Sequence, residues 1–272
     1  DWLRVVSDVD AGTTLRLAGG EPLVSPHLEA VLFEADRKGL DVEVATVGLH
    51  LEEHAAVVYG LGVARVRIVL FGPEEVHNRA VGSPSGFERA VRGALALRGL
   101  RCGTARPSIT VDIVASAADA GSLVELTQCA LAMGADKVAV HYPKSGADGR
   151  GGFGAATETM LADFGAIRRR WREGIVAFSP NLAQGDVGRY CAEDYASLGP
   201  KRCRIPWQSI DVAADGAARF CGDEAIGDIK SQTLAEIYNG EPARAFRRRL
   251  RGGLVEQCAG CRRRLGEEDL GL

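Results

Sequence analysis

Leu15-Arg16-Leu17-Ala18-Gly19-Gly20-Glu21-Pro22-Leu23 is the stretch on which the fold turns. A short apolar run ends in paired glycines, a carboxylate and a proline, just ahead of a helical pattern around His27–Lys38. Outward from it the same order repeats. The runs Thr14–Ala18, Val42–Thr46, Val66–Phe71, Ile109–Ala115 and Lys137–His141 read as strands. Glu52–Leu61, Gly86–Arg98 and Ser122–Met133 read as the helices between them, with apolar positions recurring every three or four residues. Strands alternating with longer helices imply parallel strands joined by crossover helices, with the working face at the C-terminal ends of the strands. The opening Asp1-Trp2-Leu3-Arg4-Val5-Val6 reads as the middle of an amphipathic helix without an initiating methionine, so a sixth strand is expected upstream of Asp1.

The repeat closes at Lys144–Gly154, a stretch with five glycines that reads as a loop. A helix is expected near Ala156–Arg172, followed by an irregular segment, Ser179–Pro200. The expected fold is therefore α/β. A partial (β/α)6 TIM-like barrel lacking its first strand spans residues 1–190, and a small cysteine-rich α+β domain spans residues 191–272.

Composition narrows the function only by exclusion. Of the 272 residues 46% are hydrophobic and 25% charged, with a formal net charge of −3, so global electrostatics name no partner. No apolar run reaches the roughly 20 residues needed to span a bilayer and no export leader opens the chain; the expected location is cytoplasmic, with no membrane partner. In such a setting seven cysteines argue for metal over disulfides, especially as four of them lie from Cys203 onward.

Those four are Cys203, Cys221, Cys258 and Cys261, spaced C-x17-C-x36-C-x2-C. Two residues between Cys258 and Cys261 let both sulfurs turn toward one site, and Cys203 and Cys221 would arrive from another element. Ile210-Asp211-Val212 and Arg219-Phe220-Cys221 flank Asp215-Gly216, which predicts a hairpin that folds Cys221 back toward Cys203. Thr233-Leu234-Ala235-Glu236 has capping-box spacing and predicts a short helix. Spacing alone leaves structural zinc and an iron–sulfur cluster both open.

The barrel decides between them through a resemblance. Gly19-Gly20-Glu21-Pro22 resembles the Gly-Gly-Glu-Pro motif of radical S-adenosylmethionine enzymes, Thr46-Val47-Gly48 resembles their Thr-Asn-Gly, and Gly72-Pro73, His77, Arg79, Gly82 and Phe87 are similar to a pattern that follows the next strand. Cys203 with Pro206-Trp207, then Gly216 and Cys221, then Cys258 and Cys261, resembles the auxiliary-cluster extension called the SPASM domain. The resemblance implies S-adenosylmethionine bound at Gly19, Gly20, Glu21, Pro22 and Thr46. It also implies a catalytic 4Fe-4S cluster and one auxiliary 4Fe-4S cluster on Cys203, Cys221, Cys258 and Cys261. Backbone at the glycines would hold the methionyl amino group, Glu21 would add negative charge near it, and Pro22 would stiffen the exit.

Three departures go with it. No cysteine precedes Cys102, so the C-x3-C-x2-C motif of the catalytic cluster would have to lie upstream of Asp1. Val69 and Phe71 stand where many relatives carry Ser and Asp. A full SPASM domain has seven cysteines and two clusters, whereas eleven residues follow Cys261 here, so one auxiliary cluster is expected.

The family's shared first step implies an electron from a flavodoxin or ferredoxin, reductive cleavage of S-adenosylmethionine and removal of a hydrogen atom from the substrate. A nearby auxiliary cluster then suits a net two-electron oxidation. The expected function is an oxidoreductase acting on a small hydroxylated biosynthetic substrate of aminocyclitol or sugar type. Peptide maturation, epimerisation and a non-catalytic metal-stabilised binding module are the alternatives. Cys191 is a candidate hydrogen donor or open-site ligand and His141, ending a strand on the working face, a candidate substrate contact. Cys129 reads as core, and His27, His50, His54 and His77 as loop or helix-surface residues. Eight arginines between Arg244 and Arg264 face a single acid, Glu256. Without interleaved aromatics they fit a solvated face or a setting for a negatively charged cluster better than DNA or RNA.

Overall fold

A computed structural model describes residues 2–143, 156–192, 194–200, 202–222, 224–255, 258, 261 and 263–266. Its centre is a six-stranded parallel sheet in sequence order. The strands are β1 (Thr14–Leu17), β2 (Asp41–Thr46), β3 (Arg65–Leu70), β4 (Ser108–Val114), β5 (Lys137–His141) and β6 (Val176–Ser179). Helix α1 (Trp2–Asp8) precedes β1, and α2 (Leu28–Arg37), α3 (Leu51–Gly60), α4 (Glu74–Ala80), α5 (Gly86–Leu100), α6 (Leu123–Ala132) and α7 (Thr157–Arg170) fill the crossovers.

Period-two alternation decides which residues meet the helices. Val42 and Val44, Val66, Ile68 and Leu70, Ile109, Val111 and Ile113, and Val138 and Val140 point to the helix side and form one continuous core with Leu32, Leu51, Leu97 and Leu123. The opposite, inner face carries Glu43, Arg67, Asp112 and His141, all buried. Close packing is enforced at Gly48, where an added Cβ would lie 2.7 Å from the Ala90 Cβ.

The structure corrects the sequence reading in several places. A strand that the sequence reading did not mark, β6, follows the five that it did; its four residues end at Pro180, too short a run to stand out as a strand. Ser179–Pro200 is not irregular throughout. It contains helix α8 (Gln184–Cys191), hidden by Gly185 and Gly188, which weaken helix propensity without preventing a helix packed through Val187 and Tyr190. Helix α4 also went unread. The expected loop Lys144–Gly154 lies outside the described residues.

The C-terminal part holds a second, antiparallel sheet of β7 (Asp211–Val212), β8 (Ala217–Arg219) and β9 (Ala225–Asp228), with α9 (Leu234–Asn239) and α10 (Glu241–Arg251). The Asp215-Gly216 turn joins β7 to β8, with Gly216 at φ 94°, and Thr233 and Glu236 cap each other at the start of α9. Phe220, Ile226, Ile237 and Phe246 form its core. Helix α1 serves both parts: Val6 joins the barrel core, Val5 joins the C-terminal core, and the Leu234 amide donates to Asp8 at 3.1 Å. Among the described residues no helix is long and apolar enough to cross a membrane.

Candidate functional site

At the C-terminal end of β1 the chain turns through Gly19 and Gly20, both left-handed at φ 85° and 57°. A side chain at Gly20 would meet nothing within 4 Å, so this backbone lies beside open space. The loop is fixed from behind. Glu21 caps the short 3-10 turn Pro22–Val24 by accepting from the Leu23 amide at 3.1 Å, and its other oxygen accepts from Thr46 Oγ1 at 2.8 Å and the Val47 amide at 3.0 Å. Thr46 Oγ1 in turn accepts from the Gly48 amide at 2.9 Å. The side chains of Glu21 and Thr46, expected to meet a cofactor, thus engage each other and tie the ends of β1 and β2 together. What remains for a ligand's ammonium is the backbone at Gly19 and Gly20, and the loop fits that role.

The inner face beneath carries a ladder of alternating charge across successive strands. Glu43 accepts from Arg65 Nη1 at 2.7 Å and forms ion pairs with Arg16 Nε at 2.6 Å and Arg67 Nη1 at 3.8 Å. Arg67 grips Asp112 with two nitrogens, Nε at 2.8 Å and Nη2, and His141 Nε2 lies 2.8 Å from Asp112 Oδ1. Burial alone would push the Asp112 carboxyl up; the hydrogen bonds from His141 and Arg67 outweigh it and hold the acid below the usual carboxylate range. His141 is 1% exposed, so it stands as part of this buried lattice. The sequence signal for the ladder was the presence of Glu43, Arg67 and Asp112 inside otherwise apolar runs.

The positions that depart from the family pattern are apolar as expected: Val69 is buried on the inner face, and Phe71 stacks on His77. His77 itself corrects the sequence reading, because it is fully buried and not on a helix surface. Its Nδ1 accepts from the Phe71 amide at 3.3 Å, and burial pulls its pKa down to about 4. The apolar faces of Phe71 and Phe87 on either side are what draw it in.

Cys191 packs against the helix-side core, where burial pushes its thiol up to about 12, an environment that disfavours a thiolate ligand. Burial also raises the thiol of Cys129, half-buried on α6.

The four C-terminal cysteines come from three places: Cys203 ahead of the turn Ile205–Trp207, Cys221 just after β8, and Cys258 and Cys261 beyond α10. A turn joins the last two, with the Cys261 amide donating to the Cys258 carbonyl at 3.2 Å. The Cys221 thiol is pushed up to about 11, first by burial and then by the nearby Cys261, Cys203 and Cys258, so all four sulfurs share one field. Cys203 is raised by the same causes. Among the described residues, no three Cys, His, Asp or Glu side chains are close enough to grip a single metal ion. Four soft thiolates of this kind suit an iron–sulfur cluster, whose ligands bind separate irons.

Residues 203–262 match the model of the SPASM family, described as an iron–sulfur cluster-binding domain. The structure is similar to Streptococcus suis SuiB bound to S-adenosylmethionine, with a TM-score of 0.63, 12% identity, and coverage of 91% of this chain and 60% of SuiB. It is also similar to SuiB bound to the precursor peptide SuiA (TM-score 0.59, 11% identity, 86% and 56% coverage). A third similar structure is native anSMEcpe with bound AdoMet and the Cp18Cys peptide (TM-score 0.64, 15% identity, 98% and 78% coverage). The chain thus spans about 60% of the length of SuiB. Among curated proteins no sequence matches it.

Proposed function

We propose that this chain, which joins a barrel of the radical S-adenosylmethionine fold to a SPASM iron–sulfur cluster-binding domain, is the larger part of an enzyme that modifies a peptide. The observation that carries the reading is the clamp of Glu21 on Thr46 and Val47, which holds the Gly19-Gly20 backbone beside open space at the mouth of the strands. A loop braced so specifically has little purpose in a passive metal-stabilised module.

S-adenosylmethionine with its own 4Fe-4S cluster would supply hydrogen-atom abstraction. The chain's residues do the rest. Carbonyls near Gly19 and Gly20 accept from the ammonium group, Pro22 stiffens the exit, and Glu21 and Thr46 keep the loop in register with β2. Cys203, Cys221, Cys258 and Cys261 hold an auxiliary 4Fe-4S cluster, and a flavodoxin or ferredoxin serves as electron donor.

A peptide is favoured over the aminocyclitol or sugar expected from the sequence, because SuiB binds the precursor peptide SuiA and anSMEcpe the Cp18Cys peptide. To test this, the anaerobically reconstituted gene product is incubated with S-adenosylmethionine, reductant and either peptides encoded beside its gene or a panel of aminocyclitols and sugars. A mass change in a peptide is the expected result; a change confined to the small molecules would overturn the proposal. Calorimetry with Glu21→Ala should show weakened S-adenosylmethionine binding, since the loop loses three hydrogen bonds from its bracing carboxylate.

A further inference from the structure

The arginines between α10 and the end of the described chain are not equivalent. Arg244 and Arg248 pair with Glu241, and Arg249 pairs with Glu224, all on the surface. Arg247 is buried between the rings of Phe220 and Tyr238, with its carbon centre 4.6 and 3.9 Å from their centroids, and donates to the carbonyls of Pro206 and Tyr238. Arg264 is buried too, and donates to the carbonyls of Tyr195, Leu198 and Pro200.

Arg263 is placed differently. It lies two residues beyond Cys261, and its Nη1 contacts the carbonyl of Phe220, the residue before Cys221, at 3.4 Å. The same nitrogen meets Asp211 Oδ2 at 2.7 Å, and Asp211 stands opposite Arg219 in the β7–β8 pairing. One guanidinium and one carboxylate are thereby fixed next to two of the four cysteines by the hairpin itself.

We propose that Arg263 and Asp211 are an opposed charge pair that sets the reduction potential of the auxiliary cluster, Arg263 raising it and Asp211 lowering it. The inference rests on the reading of Cys203, Cys221, Cys258 and Cys261 as ligands of that cluster. One-electron reduction adds a negative charge to the cluster. A cation held nearby favours the reduced form, and an anion opposes it. The close contact with Asp211 means that each charge mutes the other, so removing either one unmasks its partner.

The chain is reconstituted anaerobically, its iron and sulfide are measured, and the cluster is titrated with titanium(III) citrate while its paramagnetic signal is followed. Arg263→Gln should move the midpoint to a more negative potential, Asp211→Asn to a more positive one, and Arg263→Lys and the surface variant Arg249→Gln should leave it at the wild-type value. Shifts of one sign in both charge-removing variants, or none in either at full iron content, would overturn the proposal. If Arg263→Gln fails to retain iron, Asp211→Asn and Arg263→Lys carry the same test. A wild-type chain that binds no iron and sulfide would instead refute the cluster reading on which the inference stands.

Discussion

The barrel packs Leu32, Leu51, Ile68, Leu97, Ile109 and Ile113 between sheet and helices, whereas the C-terminal part encloses a few side chains, Phe220, Ile226, Ile237 and Phe246 among them, around an arginine. Charge is buried in both, but by different means. On the inner face of the barrel Arg67, Asp112 and Glu43 neutralise one another within ion-pair distance. In the C-terminal part the buried guanidiniums of Arg247 and Arg264 are met by backbone carbonyls and aromatic faces, and four thiols share a field that the charge of Arg263 reaches. The buried charges of the barrel thus meet partners among its own side chains. The smaller part, with little apolar area to bury, is the one that a bound cluster would stabilise.

The largest effect expected from this contrast follows metal removal. Chelation of iron from the reconstituted chain should abolish amide protection across β7–β9 and α9 while β2–β5 keep theirs in hydrogen exchange. Equal loss in the barrel would erase the distinction. Within the barrel, Asp112→Ala leaves Arg67 buried without its bidentate partner and should cost about 3–5 kcal/mol in denaturant unfolding. A cost near zero would mean that water reaches the inner face.

His77 sharpens the contrast through pH. Its folded pKa, about 4, lies below the ordinary 6.5, so the unfolded chain takes up the proton first as the medium is acidified. The stability associated with keeping this ring neutral is present in full above about pH 6.5 and is lost as pH falls toward about 4, up to roughly 3 kcal/mol. His77→Gln, which keeps an acceptor for the Phe71 amide, should flatten that slope in urea titrations at several pH values; an unchanged slope would show that another group is responsible. The smallest effect is expected at Arg264, where Arg264→Lys cannot serve three carbonyls at once and should cost about 1–3 kcal/mol, read from the thermal midpoint of the C-terminal part.

What the sequence made legible was local. The strand-to-helix turn at Gly19-Gly20, the Asp215-Gly216 hairpin and the Thr233–Glu236 capping box all follow from neighbouring residues, and the structure contains all three. Strands β6 and β9 escaped because four residues carry too little periodicity, and α8 because its glycines mask a helix that tertiary packing sustains. The charge ladder depends on strand register, which sets Arg16 opposite Glu43 and Val69 opposite Asp112, so Arg67 reaches Asp112 only on a diagonal. In the same way, three consecutive arginines read alike in a string of letters, whereas the fold buries Arg264 among carbonyls and sets Arg263 beside a cysteine.

Helix α1 puts neighbouring residues, Val5 and Val6, into two different cores, and Asp8 at its end holds the first turn of α9. The C-terminal part is therefore not an interchangeable module: its boundary is discontinuous in sequence. A chimera that transplants residues from Cys203 onward onto a foreign barrel would leave behind the seven-residue splint that Trp2–Asp8 provides, and exchanging both segments together is the way to move the cluster-binding part intact.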